Sequence, residues 1–445
     1  MFFYFTINIL LLITLTLTFE SISILIVGMM GMLLVTYVVN KTNLKFEIVL
    51  SIIYLIAIIM MLVAYCGYDY QYGAPYFSGG SDDLAFEEMS TYVMDEGYLM
   101  PYKYAQDPKL RYHNSKGFLW IISWIMRVVE SFGGYHTIAF RVLNINFLIA
   151  LGVLTTSYFK ENYGFSDHKN LIVLIVSILF PNAIYISVHV FRDTLIIFLL
   201  FSVFYIWDRL LQKENISFVS GLKTFFITGL IAYISYWIRN QSLVFIIAII
   251  LVSIFLKKHR LNIRNFGMYM LLLLVALIIA DLFNVFDLIV AFNERYTIHK
   301  LELSDGLSNE IFKIPLFPFG FVVRFAYGLV SPIPVPIIKT PKMLTDIKLF
   351  FDVLVSFGTV MQIFLLPYLV KNILRIDKVF ILFITFMLGI VVTTFTFRHF
   401  IMLYPFMWIL IFREFFSTNE NDRKLIFMAT ALSICFAAII YILIK

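Results

Sequence analysis

Two carboxylates stand side by side in Ser81-Asp-Asp-Leu-Ala-Phe-Glu-Glu-Met-Ser90, and a third, Asp193, follows Arg192 where one long apolar stretch gives way to the next. Charges so close to hydrocarbon are costly and mark a functional site unless a structural job accounts for them. Capping is one such job. Ser81 or Asp82 makes a sound helix N-cap, and acids in a first turn complement the helix dipole. That explains one carboxylate more easily than two beside Glu87 and Glu88. Asp193 can likewise cap the helix that follows it while Arg192 snorkels to headgroups. His189, one turn earlier, reads as a packed helix residue. A cationic set accompanies these acids: Lys116, Arg192, Arg239, Arg295, Lys300, Lys313, Arg324, Arg398 and His399. Arg239 and Arg398-His399 each sit in a tight turn between apolar stretches, Trp237-Ile-Arg-Asn-Gln241 and Phe397-Arg-His-Phe400. Guanidinium forks in such places suit an anionic headgroup held against the protein, although ordinary headgroup anchoring also explains several of them.

The elements that must position these groups follow from composition. The 445 residues are 61% hydrophobic and only 14% charged, whereas about a quarter of a soluble globule is charged. The sequence is that of an all-α, polytopic integral membrane protein. At roughly 20 apolar residues per span about thirteen transmembrane helices are expected, at 2–18, 22–39, 47–66, 138–159, 170–190, 194–212, 224–238, 242–256, 267–290, 346–370, 379–397, 400–412 and 425–443. Apolar and polar residues do not alternate at period two, so a β-barrel is not expected. The first span lacks a basic n-region and a small-residue cleavage site and is expected to be retained. Cys66 and Cys435, in or at the ends of different spans, suggest neither a disulfide nor a zinc site.

Orientation follows from the basic loops. With the N-terminus in the cytoplasm, the short loops holding Lys41 and Lys45, Lys160 and Lys169, Lys213 and Lys223, Lys257 to Arg260, Lys371 to Lys378, and Arg413 to Lys424 all face inward. The loop 67–137 and the segment 292–345 then lie outside, together with Asp82, Asp83, Lys116, Arg192, Asp193, Arg239, Arg324, Arg398 and His399. The net charge of +6 is a topology signal, and nucleic acid is not an expected partner. Gly117–Phe132 is apolar but short, with Arg127 and Glu130 near its end, and reads as an interfacial helix. Asp82 and Asp83 open a second helix at about 81–97. In the later outer segment Ser331-Pro-Ile-Pro-Val-Pro-Ile337 favours an extended strap. No composition shift marks a soluble domain, so 1–445 reads as a single transmembrane domain. The tyrosines of the first loop, among them Tyr68, Tyr76 and Tyr102, suit an interfacial aromatic belt or sugar stacking.

The order of these features resembles the GT-C superfamily of membrane glycosyltransferases, which use polyprenyl-phosphate-linked sugars. The resemblance rests on Asp82-Asp83 at a helix start in an outer loop, Lys116-Gly-Phe118, Phe132-Gly133, Ile138-Ala-Phe-Arg-Val142, and the Pro181-to-Asp193 stretch that carries a second acid. It covers about residues 60–215. The chain departs from the family in having two spans before the acidic loop, no Pro-Pro after the basic residue and no large soluble outer domain. The resemblance implies an inverting transferase at the outer face of the cytoplasmic membrane, acting in surface polysaccharide or glycoconjugate assembly. Its donor would be a polyprenyl-phosphate-linked sugar, its acceptor a saccharide or lipid-linked, and membrane lipids would surround it. Asp83, or Asp82, would take the proton of the acceptor hydroxyl, with Asp82 the better cap and Asp83 the preferred base. Asp193 would orient the acceptor or share a divalent metal, Mg or Mn, with Asp83. Lys116, Arg192 and Arg324 would hold the lipid phosphate, with Arg239, Arg398 and His399 as further candidates. Arg398-His-Phe-Ile-Met-Leu-Tyr-Pro405 is similar to stretches of oligosaccharide repeat-unit polymerases, which keeps polymerisation open. A lipid-linked oligosaccharide flippase or other transporter is a third expectation, disfavoured because the charges collect at one face and no inverted repeat is visible.

Overall fold

A computed structural model describes residues 2–42, 44–80, 82–111, 113–256, 290–291, 293–294, 297–298, 307–332, 346–393 and 397–444. Ser81, the span expected at 267–290 up to its last residue, Arg295, Lys300 and the proline strap beyond Pro332 lie outside the described residues. The regular structure of the described residues is entirely helical, with no β-strand among them. Continuous apolar stretches allow little else, because a backbone in hydrocarbon must satisfy its own hydrogen bonds. Among the described residues seven helices are long and apolar enough to cross a membrane, and an eighth span results if one bent pair is counted as a unit. Three further apolar helices are shorter, at Phe3–Thr18, Ser242–Phe255 and Lys378–Val392. The protein is a multi-pass membrane protein.

The chain divides into two compact units, Met1–Ile250 with Val335–Gly358, and Leu251–Pro334 with Thr359–Lys445. The first unit contains α1 (Phe2–Thr18), α2 (Ile22–Thr42), α3 (Glu47–Tyr72), α4 (Asp82–Asp95), α5 (Lys116–Glu130), α6 (Thr137–Tyr163), α7 (Asp167–Leu179), α8 (Pro181–Ser187), α9 (Asp193–Gln212) and α10 (Phe218–Ile238). Most of α11 (Ser242–Phe255) also belongs to it. Its centre is α6, buried along nearly its whole length and packed against α2, α3, α7, α8 and α9.

The span expected at 170–190 is not one helix. It breaks after Leu179, and α8 restarts at Pro181 with a 48° bend. Proline has no N–H to continue the ladder and pushes the preceding residue out of helical geometry, which suits it to a helix start. Phe180 accordingly has ψ of 124°. The two helices expected in the first loop are present. α4 covers 14 residues and α5 covers 15. In α5, Phe118, Leu119, Ile122, Met126 and Val129 face inward while Trp124 and Val128 face out. That is an amphipathic stripe, and at 1.5 Å per residue the helix falls short of the roughly 30 Å hydrocarbon core.

The second unit contains α12 (Leu307–Lys313), α13 (Phe321–Leu329), the larger part of α14 (Ile347–Lys371), α15 (Lys378–Thr393), α16 (Tyr404–Ser417) and α17 (Glu420–Ile444). Within it α15 packs on α13 and α16.

Candidate functional site

At one end of the first unit the chain folds α4 and α5 against the end of α10, beside the start of α6 and the α8–α9 junction. α4 packs on α5, and α5 on α10. Arg127 of α5 ties the far end of α4 down by donating to the carbonyls of Val93, Met94 and Tyr98, groups a helix C-terminus leaves without partners. The start of α5 approaches α10 closely enough that Gly117 has no room for a side chain. A Cβ there would lie 2.6 Å from the carbonyl carbon of Trp237.

Asp82 and Asp83 are neighbours on α4, and the 100° between consecutive helical positions sends them in different directions. Asp82 is exposed; Asp83 is fully buried. The Asp83 carboxylate accepts from the Phe77 N–H at 2.9 Å and the Leu84 N–H at 3.1 Å, and faces the Arg141 guanidinium at 3.9 Å. Asp83, the preferred base, has no exposed surface and holds the turn before α4, whereas Asp82, the preferred cap, is the acid that solvent reaches. Burial pushes the Asp83 carboxyl above its usual range, against the pull of the Phe77 N–H and Arg141.

Arg141, also fully buried, donates to the carbonyls of Pro75 and Val188. A second acid lies near it. Glu87 accepts from the Tyr76 hydroxyl at 2.7 Å and the Tyr135 hydroxyl at 2.6 Å, and burial raises its carboxyl too. Neither Arg141 nor Glu87 was singled out as a site residue from the sequence. Both left a signal: Asp83 and Glu87 are four apart and share a helix face, and an arginine one turn into an apolar span needs a partner.

Asp193 and Arg239 form a second buried ion pair, 3.7 Å apart at 1% and 6% side-chain exposure. Asp193 begins α9, and Arg239 ends α10, where its Nε also donates to the Gln241 side chain at 3.1 Å. The backbone between α8 and α9 is buried and is satisfied from α6, since Asn144 donates to both His189 O and Phe191 O. His189 packs among the rings of Tyr68, Phe77, Tyr185, Phe191 and Phe351. Its Nδ1 lies 2.7 Å from Tyr185 O, in keeping with the packed role expected.

Two of the expected phosphate-binding cations come together. Arg192, mostly buried, donates to Asn114 Oδ1 at 3.1 Å, and Lys116 at the start of α5 donates to Arg111 O at 2.8 Å. Between them lies His113, whose imidazole is pushed down to about 4, first by burial and then by Arg192 and Lys116, while Asp82 opposes the shift. Burial also lowers the Lys116 ammonium. Asp82, His113, Lys116 and Arg192 thus form one electrostatic cluster, with the acid on its exposed side.

Arg324, Arg398 and His399 belong to the second unit. Arg324 is buried in α13 and spends its guanidinium on Asn293 Oδ1 and on the carbonyls of Phe312 and Ile314, with the Phe312 ring 4.7 Å away. These contacts anchor Arg324 to the backbone ahead of α13, while its Nε is buried with no hydrogen-bond partner among the described residues. Arg398 and His399 lie in a 3₁₀ turn, Phe397–Leu403, that leads into α16, with His399 buried. Among the described residues no group of three or more His, Cys, Asp or Glu could hold a metal ion. Asp83 and Asp193 each face an arginine already, so this donor set does not fit a divalent cation, which gathers oxygen ligands. Compared with protein-family models, curated proteins and solved structures, the chain matches none of them.

Proposed function

We propose that the protein is a membrane-embedded glycosyltransferase that takes a sugar from a polyprenyl-phosphate-linked donor at the outer face of the cytoplasmic membrane, in the assembly of surface polysaccharide or glycoconjugate. The observation that carries this reading is an exposed carboxylate, Asp82, whose charge acts on the same His113 imidazole as Lys116 and Arg192, with Arg192 also donating to Asn114 two residues before Lys116. Lys116 and Arg192 hold the donor phosphodiester, and its single negative charge also favours the Lys116 charge that burial disfavours. An acceptor hydroxyl attacks the anomeric carbon and gives its proton to Asp82. The bond from that carbon to the phosphate oxygen breaks with its electron pair on the lipid phosphate, where the two cations stabilise the growing charge. In-line displacement inverts the anomeric centre. Asp83 with Arg141, and Asp193 with Arg239, act as positioning pairs that fix the turn before α4 and the start of α9.

The test uses the full chain in vesicles containing labelled polyprenyl-phosphate hexoses and a saccharide acceptor. Asp82→Asn should lower transfer by about 10²–10⁴-fold, the range of general-base assistance, with an unchanged melting profile. Retained transfer in that variant sinks the assignment. Binding of farnesyl phosphate, measured separately, should weaken in Lys116→Gln and Arg192→Gln. Polymerisation is the second reading, favoured by the Arg398-His399 turn of the second unit, and a ladder of products on a gel instead of a single addition would select it.

A further inference from the structure

We propose that the second unit carries a binding site for an anionic phospholipid, independent of the transferase reading and made by α14, α16 and α17. These helices surround a cavity of about 790 Å³, a size typical of ligand pockets. One side is wholly apolar: Met361, Phe364 and Leu365 of α14 face Phe427 of α17, and the Phe364 and Phe427 rings stack at 4.8 Å. The other side is cationic, with Arg423 and Lys424 on the first turns of α17. The Arg423 guanidinium lies over the Phe415 ring at 5.2 Å, and its Nε is buried with no hydrogen-bond partner among the described residues. Lys424 pairs with Glu420 at 2.8 Å on the exposed rim. Lys371, the last residue of α14, reaches Thr418 just before α17.

Two cations, Arg423 and Lys424, against the single acid Glu420 leave the lining of the cavity positive. The rim also lies where α14 ends and α17 begins, so the cavity has its charged edge at a helix end and its apolar wall along the helices. A two-chain lipid with a phosphate headgroup matches both features at once, its acyl chain against Met361 and Phe427 and its phosphate at Arg423. A free phosphate would leave the apolar wall empty, and a zwitterionic headgroup would waste the net charge. The basic loops at Lys371–Lys378 and Arg413–Lys424 place this end on the cytoplasmic side by the charge rule, where the leaflet is anionic.

Native mass spectrometry of the purified full chain in neutral detergent tests this, with phosphatidylglycerol and phosphatidylcholine of identical chains as the probes. Phosphatidylglycerol should be retained preferentially. Arg423→Gln should lower its retention about fivefold, the effect of one cation near a phosphate, and leave phosphatidylcholine unchanged. Met361→Trp, which fills the apolar wall, should lower retention of both lipids. A second readout does not depend on either variant: in Phe427→Trp, brominated phosphatidylglycerol should quench the added fluorescence more than its phosphatidylcholine counterpart. Equal retention of the two lipids by the unaltered chain, undiminished retention in folded Arg423→Gln and Met361→Trp, or displacement of the lipid by millimolar inorganic phosphate would each overturn the proposal.

Discussion

Replacing Arg141 with methionine removes the positive charge between two buried carboxylates while roughly keeping the length of the side chain. Arg141 and Asp83 are both fully buried, at 0% side-chain exposure, so solvent screens the pair little. Removing one partner of a buried pair costs about 3–5 kcal/mol, and Arg141→Met strands Asp83 together with Glu87. Asp83→Asn is milder. An amide oxygen still accepts from the Phe77 N–H, and Arg141 keeps the carbonyls of Pro75 and Val188, so about 1–3 kcal/mol is expected. The double variant leaves only Glu87, already served by two tyrosine hydroxyls, and recovers part of the loss. Acidity acts with a definite sign. Burial raises Asp83 and Glu87 above their ordinary 3.8 and 4.5, so the folded state binds a proton more readily than the unfolded chain. The resulting stability is present below those ordinary values and is lost as pH rises through the raised folded ones. Without Arg141 both groups rise further, and the deficit of Arg141→Met widens from pH 5 to pH 8. Tryptophan fluorescence of the purified chain, titrated from mild detergent into dodecyl sulfate at both pH values, measures it. The reasoning fails if Arg141→Met matches the unaltered protein at pH 8, or if Asp83→Asn is the more damaging change.

The His113 imidazole, read by NMR of labelled histidine, should titrate near 4; Arg192→Met removes a neighbouring cation and should move it upward, and no movement would place Arg192 elsewhere. Gly117→Ala puts a Cβ 2.6 Å from α10 backbone and should cost about 1–3 kcal/mol. Gly229→Ala, whose Cβ meets nothing within 4 Å, should be neutral or gain up to about 1 kcal/mol, and equal thermal shifts for the two would refute the close approach. Asp193→Asn and Arg239→Met should each destabilise by about 3–5 kcal/mol, with the double variant less harmful than their sum; strict additivity in a double-mutant cycle would mean that the pair does not interact.

The two helices α4 and α5 were legible because their signals are local. An acidic start marks α4, and an apolar stripe too short for a span marks α5. The break at Pro181 was visible as a residue but not as a bend, since hydropathy carries no direction and the apolar run continues past it to Phe191. Which of two adjacent acids turns inward was not legible at all. Asp82 and Asp83 have the same chemistry and the same helix position to within one residue, and only the presence of Arg141, on a helix that begins after α5, separates them. The backbone role of Arg324 was hidden for a related reason. Its partners are the carbonyls of Phe312 and Ile314, and a carbonyl that needs a donor leaves no mark in a sequence.

That last point divides the cations of the first unit by what they serve. The junction from Ser187 to Asp193 is buried, and a buried loop must have its carbonyls met by protein donors because water cannot reach them. Arg141 meets Val188 and Asn144 meets His189 and Phe191, so much of the polarity at this end of the helices is explained by backbone demand alone. Lys116 and Arg192 differ. They too touch backbone or amide oxygens, yet they also act together on His113, and Asp82 opposes them from the exposed side. A cluster kept only for backbone satisfaction has no reason to concentrate charge against a half-buried imidazole, where each cation raises the cost of the next. An anion that binds there offsets that repulsion, and it would therefore bind more weakly once either Lys116 or Arg192 is neutralised but not once Arg141 is.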